Sequence, residues 1–199
     1  MTDYTTVADV KARLSGDTPT MSGAWDGVLA SIISQVSAEI DREVKTRRGI
    51  RGAWSFVAIE TATEKRYRRR YSSLYLPIDD CIEVTAVDDD GTALVEGTDY
   101  EVEPLNDAPY IGLTRIVGAW SPPPRLITVT AKWGFAETLP TDVAKSAEVE
   151  VIRSYLGARA GYDDRIGMTP FGRAVTARAF TDETRTMLNA YRQGGGFMR

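Results

Sequence analysis

The most chemically suggestive stretch of this sequence is a short run that mixes basic and aromatic side chains. Residues 65–71 read Lys-Arg-Tyr-Arg-Arg-Arg-Tyr, a composition typical of strands that bind phosphate groups or stack on bases. In an extended strand, Arg66, Arg68 and Arg70 point to one side. Three interpretations stay open: a solvated edge strand protected by its charges, a contact with an acidic protein surface, or a contact with a nucleic-acid backbone.

Charge in the chain is divided between two neighbouring blocks. Residues 42–70 hold ten Lys/Arg against three Asp/Glu, whereas residues 71–114 hold eleven Asp/Glu and no Lys or Arg. Such a separation does little for a monomer, because exposed ion pairs are weak and are screened by salt. In a subunit that repeats head to tail, the basic face of one copy meets the acidic face of the next, which favours a protein surface as the partner. The predicted basic face comprises Lys65, Arg66, Arg68, Arg69 and Arg70, and the predicted acidic face comprises Asp88, Asp89, Asp90, Glu101 and Glu103.

Other candidate reactive groups lack the partners that catalysis needs. The chain contains no histidine, so Ser-His and Cys-His pairs and the favoured zinc ligand are missing. Asp88-Asp89-Asp90-Gly91 fails the EF-hand spacing and predicts a turn, and the adjacent Asp79 and Asp80 predict a loop after Pro77. Cys81 is expected to be a buried apolar residue. We therefore predict no enzyme activity, no metal and no cofactor.

Composition limits the class of protein further. The 199 residues are 43% hydrophobic, enough for one substantial core with extensions, and the net charge of −4 argues against a general nucleic-acid binder. We find no secretory segment and no apolar stretch that could span a bilayer, so we expect a protein made in a cytoplasm with no membrane partner.

Helices are predicted from the spacing of apolar residues. Thr6 and Asp9 form a capping-box pattern before a short helix that ends near Ser15. A long amphipathic helix follows over residues 25–44, with Asp41 among the residues on its wet side. Pro140, Thr141 and Asp142 begin a third helix, which carries Val143, Ala144, Ala147, Val151, Tyr155 and Leu156 toward a core. A last helix over residues 181–191 has a thin apolar stripe and must dock on something.

Between the second and third helices the pattern changes to strands. Extended runs are predicted over residues 54–59 and 63–76, with Pro77 as the end of the second run. Four alternating segments follow, centred on Ile82–Ala86, Tyr100, Leu113 and Val129, and Asp90-Gly91 predicts a hairpin. Ile82, Val84 and Ala86 are expected to face inward. The order predicts an α+β fold, long helices beside a small antiparallel sheet, with a core over residues 1–161 and a mobile segment, C-terminal helix and tail over residues 162–199.

Taken in order, these segments resemble the head–tail connector (adaptor) proteins of long-tailed bacteriophages. The resemblance covers about residues 4–160 and departs from the compact family pattern at an enlarged basic stretch, residues 45–59, and at a long extension after Tyr162. The segments that carry it are residues 4–14 (YTTVADVKARL), 37–42 (SAEIDR), 74–77 (LYLP), 82–87 (IEVTAV), 97–100 (GTDY), 127–134 (ITVTAKWG) and 139–143 (LPTDV).

The resemblance implies a structural role in the virion neck. Connector subunits form a closed ring, commonly twelvefold, that docks under the portal protein, binds the next neck or tail component and lets DNA pass through its lumen. Because family members often use their C-terminal helix or tail on the portal, residues 181–199 are the candidate portal-docking segment. Its apolar members are Met187, Leu188, Tyr191, Phe197 and Met198.

Two other functions stay open at this point. A tail terminator or another neck protein could share the same small α+β core. A DNA-binding or metal-dependent nuclease accessory domain could use the arginine run on duplex DNA, although the neighbouring acidic block would repel phosphate.

Overall fold

The structure, a computed structural model, describes residues 2–15, 23–48, 54–70, 72–159, 165–168, 174–176 and 180–191. The chain divides into two compact units. One, here the helical unit, comprises Met1–Gly49 and Pro140–Arg199, and the other, here the sheet unit, comprises Ile50–Leu139. The sheet unit is thus inserted in the chain between the second and third helices.

The helical unit is built around two long helices, α2 and α3, which pack against each other. The short helix α1 packs on both, and so does the last helix, α4. Two short strands, β7 and β8, pair antiparallel within the region after residue 161. The bounds are α1 Val7–Ser15, α2 Asp26–Arg48, α3 Thr141–Arg159, β7 Arg165–Met168, β8 Ala174–Thr176 and α4 Asp182–Ala190, with a 3-10 turn at Gly23–Trp25.

Helix α1 begins with the cap that the sequence predicted. The residues before it are held by further contacts that the sequence did not predict. The Thr6 hydroxyl accepts a hydrogen bond from the backbone N–H of Asp9 at 3.1 Å, which caps α1. The backbone N–H of Tyr4 donates to the Ser37 hydroxyl at 3.0 Å, and the Tyr4 hydroxyl donates to Asp41. Asp41 is therefore buried, and its predicted position on the wet side of α2 was wrong, because a tyrosine from another segment satisfies its carboxylate.

Most of the residues predicted for the inner face of helix α3 are buried, and so is one acid, Glu150. Val143, Ala147, Val151 and Tyr155 are all buried. Leu156 is exposed, contrary to its predicted inward position, because the helical repeat turns it away from that stripe.

The sheet unit contains one antiparallel sheet in the strand order β1-β6-β2-β5-β4, with β3 paired to the end of β2. Strands β1 and β4 are therefore the two edges of this path. Together with the helices, the sheet confirms the predicted α+β class. The bounds are β1 Thr63–Tyr67, β2 Tyr75–Asp89, β3 Thr92–Leu94, β4 Tyr100–Glu103, β5 Tyr110–Arg115 and β6 Ile127–Trp133.

Strand β2 is longer and less regular than the sequence suggested. Pro77 lies inside β2 and does not end the preceding extended segment. At Pro77, β2 pairs with β5 and not with β6, so the missing proline N–H interrupts no hydrogen bonds to β6. Register shifts between Cys81 and Glu83 and between Val84 and Ala86 interrupt the alternation. Ala86 is consequently exposed and Val87 buried, the reverse of the predicted phase.

The Asp90-Gly91 hairpin is confirmed. Both residues have positive φ, 57° and 87°, as a two-residue turn of the mirror-image type requires. The turn joins β2 to β3, and the Asp88 carboxylate closes it by accepting from the backbone N–H of Gly91 at 2.7 Å.

The predicted strand over residues 54–59 is absent from the part of the chain that the structure describes. Trp54 and Phe56 are nevertheless buried, and Val57 forms only an isolated bridge to Ala136. Two backbone hydrogen bonds fix the segment further, from Ala58 to Ala136 at 2.8 Å and from Ile59 to Trp133 at 3.0 Å. Residues 54–59 thus pack as an irregular segment on the end of β6.

Candidate functional site

The basic run divides into side chains held by their own unit and side chains left exposed. Lys65 forms an ion pair with Asp79 at 2.7 Å, and its Nζ lies 4.3 Å from the centre of the Trp133 ring. The Tyr67 hydroxyl accepts from the backbone N–H of Asp79 at 3.2 Å, and burial raises the pKa of this tyrosine. Lys65 is thus engaged in the fold of the sheet unit.

Three arginines of the run are exposed. Arg66, Arg68 and Arg70 alternate with less exposed residues, as a strand and its extension predict, and within the described residues none of them forms an ion pair. Arg69 points elsewhere and donates to the backbone oxygen of Trp120 at 3.0 Å. The basic surface that remains accessible is therefore Arg66, Arg68 and Arg70, which we call the arginine row.

The predicted acidic face does not form one surface. Asp89 is buried, and both of its carboxylate oxygens lie within 3.3 Å of the backbone N–H of Ser121, so its placement on an exposed face needs correction. Asp90 pairs with Arg125 at 3.1 Å. Glu103 accepts from the Thr114 hydroxyl at 2.9 Å, whereas Glu101 is exposed.

Strand order explains why the acids separate. Register aligns Tyr67 with Ile127 and Ile127 with Asp89, so the arginine row and the Asp90 hairpin leave the same end of the sheet, two strand spacings or about 10 Å apart. Glu101 instead lies on β4, the opposite edge from β1. Among the predicted acids, only Glu101 and its neighbours on β4 therefore lie at the opposite edge of the sheet from the arginine row.

The remaining acids that resembled catalytic groups have structural partners. Asp79 is paired with Lys65, and Asp80 is buried and accepts from the Trp54 indole N–H at 2.6 Å. Both lie inside β2 and not in the predicted loop. Among the residues with described positions, no group of acids or Cys81 could hold a metal ion.

The single thiol has a clear environment. Cys81 is buried as predicted, and burial, with a smaller contribution from the charge of Asp80, raises its pKa to about 12. At neutral pH it is a thiol that labelling reagents reach only when the sheet unit opens.

The candidate portal-docking residues lie largely within their own unit. Leu188 is fully buried, and the Tyr191 hydroxyl donates to Asp142 at 2.6 Å. Burial, and secondarily this hydrogen bond, raises the pKa of Tyr191. Met187 is half-buried. Phe197 and Met198 lie outside the described residues. The thin apolar stripe of α4 thus docks on the helical unit of the same chain.

A buried glutamate holds the start of α4. Glu150 accepts from the backbone N–H of Thr181 at 2.7 Å and from its hydroxyl at 2.8 Å, and it pairs with Arg153 at 2.9 Å. The Thr181 hydroxyl in turn accepts from the backbone N–H of Thr184 at 3.2 Å and caps α4. Sequence reasoning missed Glu150 because it sits within a stripe of apolar residues and its partner is 31 positions away.

Removal of this cap tests how firmly α4 is held. The Thr181→Ala variant should lose about 1–2 kcal/mol of stability in α4, since both the cap and a hydrogen bond to Glu150 disappear. Hydrogen exchange of the α4 amides should accelerate about tenfold. Thr186→Ala is the matched control, because Thr186 bonds only to Asp182 within the helix and is exposed. Equal exchange in the two variants would contradict the assigned role.

Sequence reasoning also missed four exposed apolar residues of the sheet unit. Leu74, Val95, Ile116 and Val117 are exposed and come from three separate segments. Each lies close to the end of a strand, where polar turn residues are expected. The signal available was the adjacent pair Ile116-Val117, which breaks the alternation of β5.

No helix in the described ranges is both long enough and apolar enough to pass through a membrane.

Comparison with known proteins supports a fold assignment. No protein family and no curated protein matches the sequence. Three solved structures of gene transfer agent (GTA) particles contain chains of similar fold, each match covering 96% of this chain and 91% of the other. They are the neck of an empty GTA particle computed with C6 symmetry (TM-score 0.57, 19% identity), the virion of a native GTA particle (0.55, 19%) and the neck of a native GTA particle computed with C12 symmetry (0.56, 15%). The chain therefore shares its fold with chains of gene transfer agent necks and virions.

Proposed function

We propose that this protein is a structural, noncatalytic subunit of a virion neck. The observation that carries the proposal is the fold similarity over nearly the whole chain to two neck structures, one computed with C6 and one with C12 symmetry. Such symmetry suits a subunit that repeats around an axis. The sequence resemblance to head–tail connectors, reached from separate features, supports the same role.

In this proposal the subunits form a closed ring, of twelve copies, between the capsid portal and the tail. DNA passes through the lumen, and a downstream neck or tail protein binds below. The arginine row on one edge of the sheet and Glu101 on the other support a head-to-tail contact, since a heterologous interface joins two different surfaces of one chain. Because Asp89 is buried, the proposed acidic face does not include it.

The proposed portal contact is narrower than the sequence suggested. Leu188 and Tyr191 are engaged within the helical unit, so we assign the contact to Met187 and to the tail residues Phe197 and Met198. A portal could hold these residues while α4 stays docked on its own chain.

Native mass spectrometry of the purified chain, alone and with portal protein, tests the proposal. We expect rings at ~0.1 M salt, where the Debye length is about 10 Å, and fewer rings at ~1 M, where it is about 3 Å. The portal complex should hold one ring. A protein that stays monomeric in all four conditions would overturn the proposal.

Co-purification separates the rival functions. A connector retains the portal, whereas a tail terminator retains the tail tube. Salt-dependent binding to duplex DNA, lost in the Arg66→Ala/Arg68→Ala variant and found without any ring, would favour the accessory-domain alternative instead.

A further inference from the structure

Helix α3 carries a second apolar stripe on the side that faces away from its core contacts. Val149 and Leu156 are 37% and 48% exposed, and Ile152 between them is half-buried. Their spacing of three and four residues places these three side chains, here the α3 stripe, on one face of the helix. Counting roughly 100° per residue, this face lies about 150° around the helix axis from the buried stripe at positions 143, 147, 151 and 155.

A stripe with the same spacing lies on α2. Trp25, in the 3-10 turn that leads into α2, is 42% exposed, Val28 is 41% exposed, and Ile32 is half-buried. These three side chains, here the α2 stripe, span about 10 Å, as the α3 stripe does. The two stripes contain all four of the large hydrophobic residues that are exposed on the described part of the helical unit. Exposed apolar surface is thus confined to two matching helical stripes.

The two stripes do not cover each other within one chain. The Trp25 ring contacts the Tyr155 ring edge-on at 5.9 Å, and Tyr155 belongs to the buried stripe, against which α2 packs. The α3 stripe therefore faces away from the α2 of its own chain. In a contact between copies, the α3 stripe and the α2 stripe would be two different surfaces of one chain, which is the heterologous kind of contact that closes into a ring.

Charges beyond the stripes favour one direction of pairing. Exposed Lys145 lies one turn before Val149 on α3, and Glu39 lies two turns after Ile32 on the same side of α2. Antiparallel pairing would align Ile32 with Val149, so that the lysine and the glutamate extend past the apolar contact at the same end. Parallel pairing would carry these two opposite charges to opposite ends. Apolar stripes of equal length, followed by complementary charges, thus fit a second copy of this chain.

We propose that the α3 stripe of one copy packs antiparallel on the α2 stripe of the next copy in the ring, with Lys145 of the first copy beside Glu39 of the second. This inference rests on the proposed function and specifies a subunit contact made by the helical unit. Packing of the two helices would bury the four exposed hydrophobic side chains.

The first test places a charge in the contact. Val28→Asp should abolish rings in native mass spectra at concentrations where the unchanged protein is fully assembled, because its carboxylate would be buried against an apolar stripe without a partner. Ala30→Asp is the matched control: Ala30 is also exposed on α2, but it lies about 160° around the helix from Val28. Unchanged hydrogen exchange of the α4 amides verifies that the helical unit is folded in both variants.

The second test links the two stripes without disrupting the assembly. Ile32→Cys and Val149→Cys, oxidised as an equimolar mixture, should form a disulfide-linked pair that contains one copy of each, because antiparallel pairing brings these positions together. In the control mixture Leu156→Cys replaces Val149→Cys. Position 156 would lie about 10 Å farther along the contact from Ile32, so linking should be at least tenfold less. The buried thiol of Cys81 is common to all the variants.

The outcomes for the contact and for the function differ. Rings from Val28→Asp, no link between Ile32→Cys and Val149→Cys, or preferential linking to Leu156→Cys, each while the unchanged protein forms rings, would overturn the assigned contact and leave the neck function standing. An unchanged protein that forms no ring even with portal present would overturn the function and the contact together.

Discussion

Replacing Gly134 with alanine is expected to destabilise the sheet unit by about 4 kcal/mol, a large share of the stability of a typical domain. Gly134 has φ of +147°, a region that residues with a side chain rarely adopt. A Cβ there would overlap the backbone of Ala58, standing 2.7 Å from its nitrogen and closer still to its Cα. Because the obstacle is backbone and not a flexible side chain, the irregular segment over residues 54–59 would have to move away from β6.

Urea unfolding followed by Cys81 labelling measures this loss, since the buried thiol reports on the sheet unit. Gly97→Ala is the matched control: Gly97 also has positive φ, +75°, but a Cβ there meets nothing within 4 Å. Its cost should be about 1 kcal/mol, from backbone strain alone. Equal midpoints for the two variants would show that the close approach to Ala58 is not a stability determinant.

The sequence anticipated the elements whose periodicity is regular. The buried stripe of α2, at Leu29, Ile33, Val36, Ile40 and Val44, followed from three- and four-residue spacing, and the burial of β6 followed from strict alternation. The Asp90-Gly91 turn followed from two residues that tolerate positive φ. In each case the determinant lies within a few residues of the position it controls.

Errors arose where the determinant lies far along the chain. Asp41, Asp89 and Glu150 are acids, and composition alone places acids on a surface; each is buried because a group 31 to 37 positions away donates to it. The β-bulges of β2 depend on simultaneous pairing with β5 and β6, which a one-dimensional pattern does not contain.

The charge split shows the same limit in the candidate site. Composition identified two oppositely charged blocks, but strand order decides which acids oppose which bases. Pairing through β6 brings the Asp90 hairpin near the arginine row, whereas Glu101 reaches the far edge through β5 and β4. The exposed apolar residues Leu74, Val95 and Ile116 likewise come from three segments that only the fold connects, through backbone hydrogen bonds of Leu74 with Arg115 and of both Val95 and Ile116 with Asp99.

Replacing Trp120 with alanine should cost about 3–5 kcal/mol, because Trp120 is the largest fully buried side chain of the described residues. Its indole N–H donates to Leu74 at 2.7 Å and its backbone N–H to Ser73 at 2.8 Å, while Arg115 lies over its ring. The variant would therefore leave a cavity and would leave the backbone oxygen of Leu74 without its donor.

The expected measurements distinguish this packing role from surface effects. Trp120→Ala should lower the urea midpoint and accelerate Cys81 labelling. Trp120→Phe keeps much of the buried ring and should recover all but about 1–2 kcal/mol, the cost of the lost indole hydrogen bond. Trp25→Ala is the exposed control: Trp25 is 42% exposed, contacts Tyr155 edge-on and belongs to the helical unit, so it should leave Cys81 labelling unchanged. Similar labelling rates for Trp120→Ala and Trp25→Ala would contradict the view that Trp120 anchors the sheet unit.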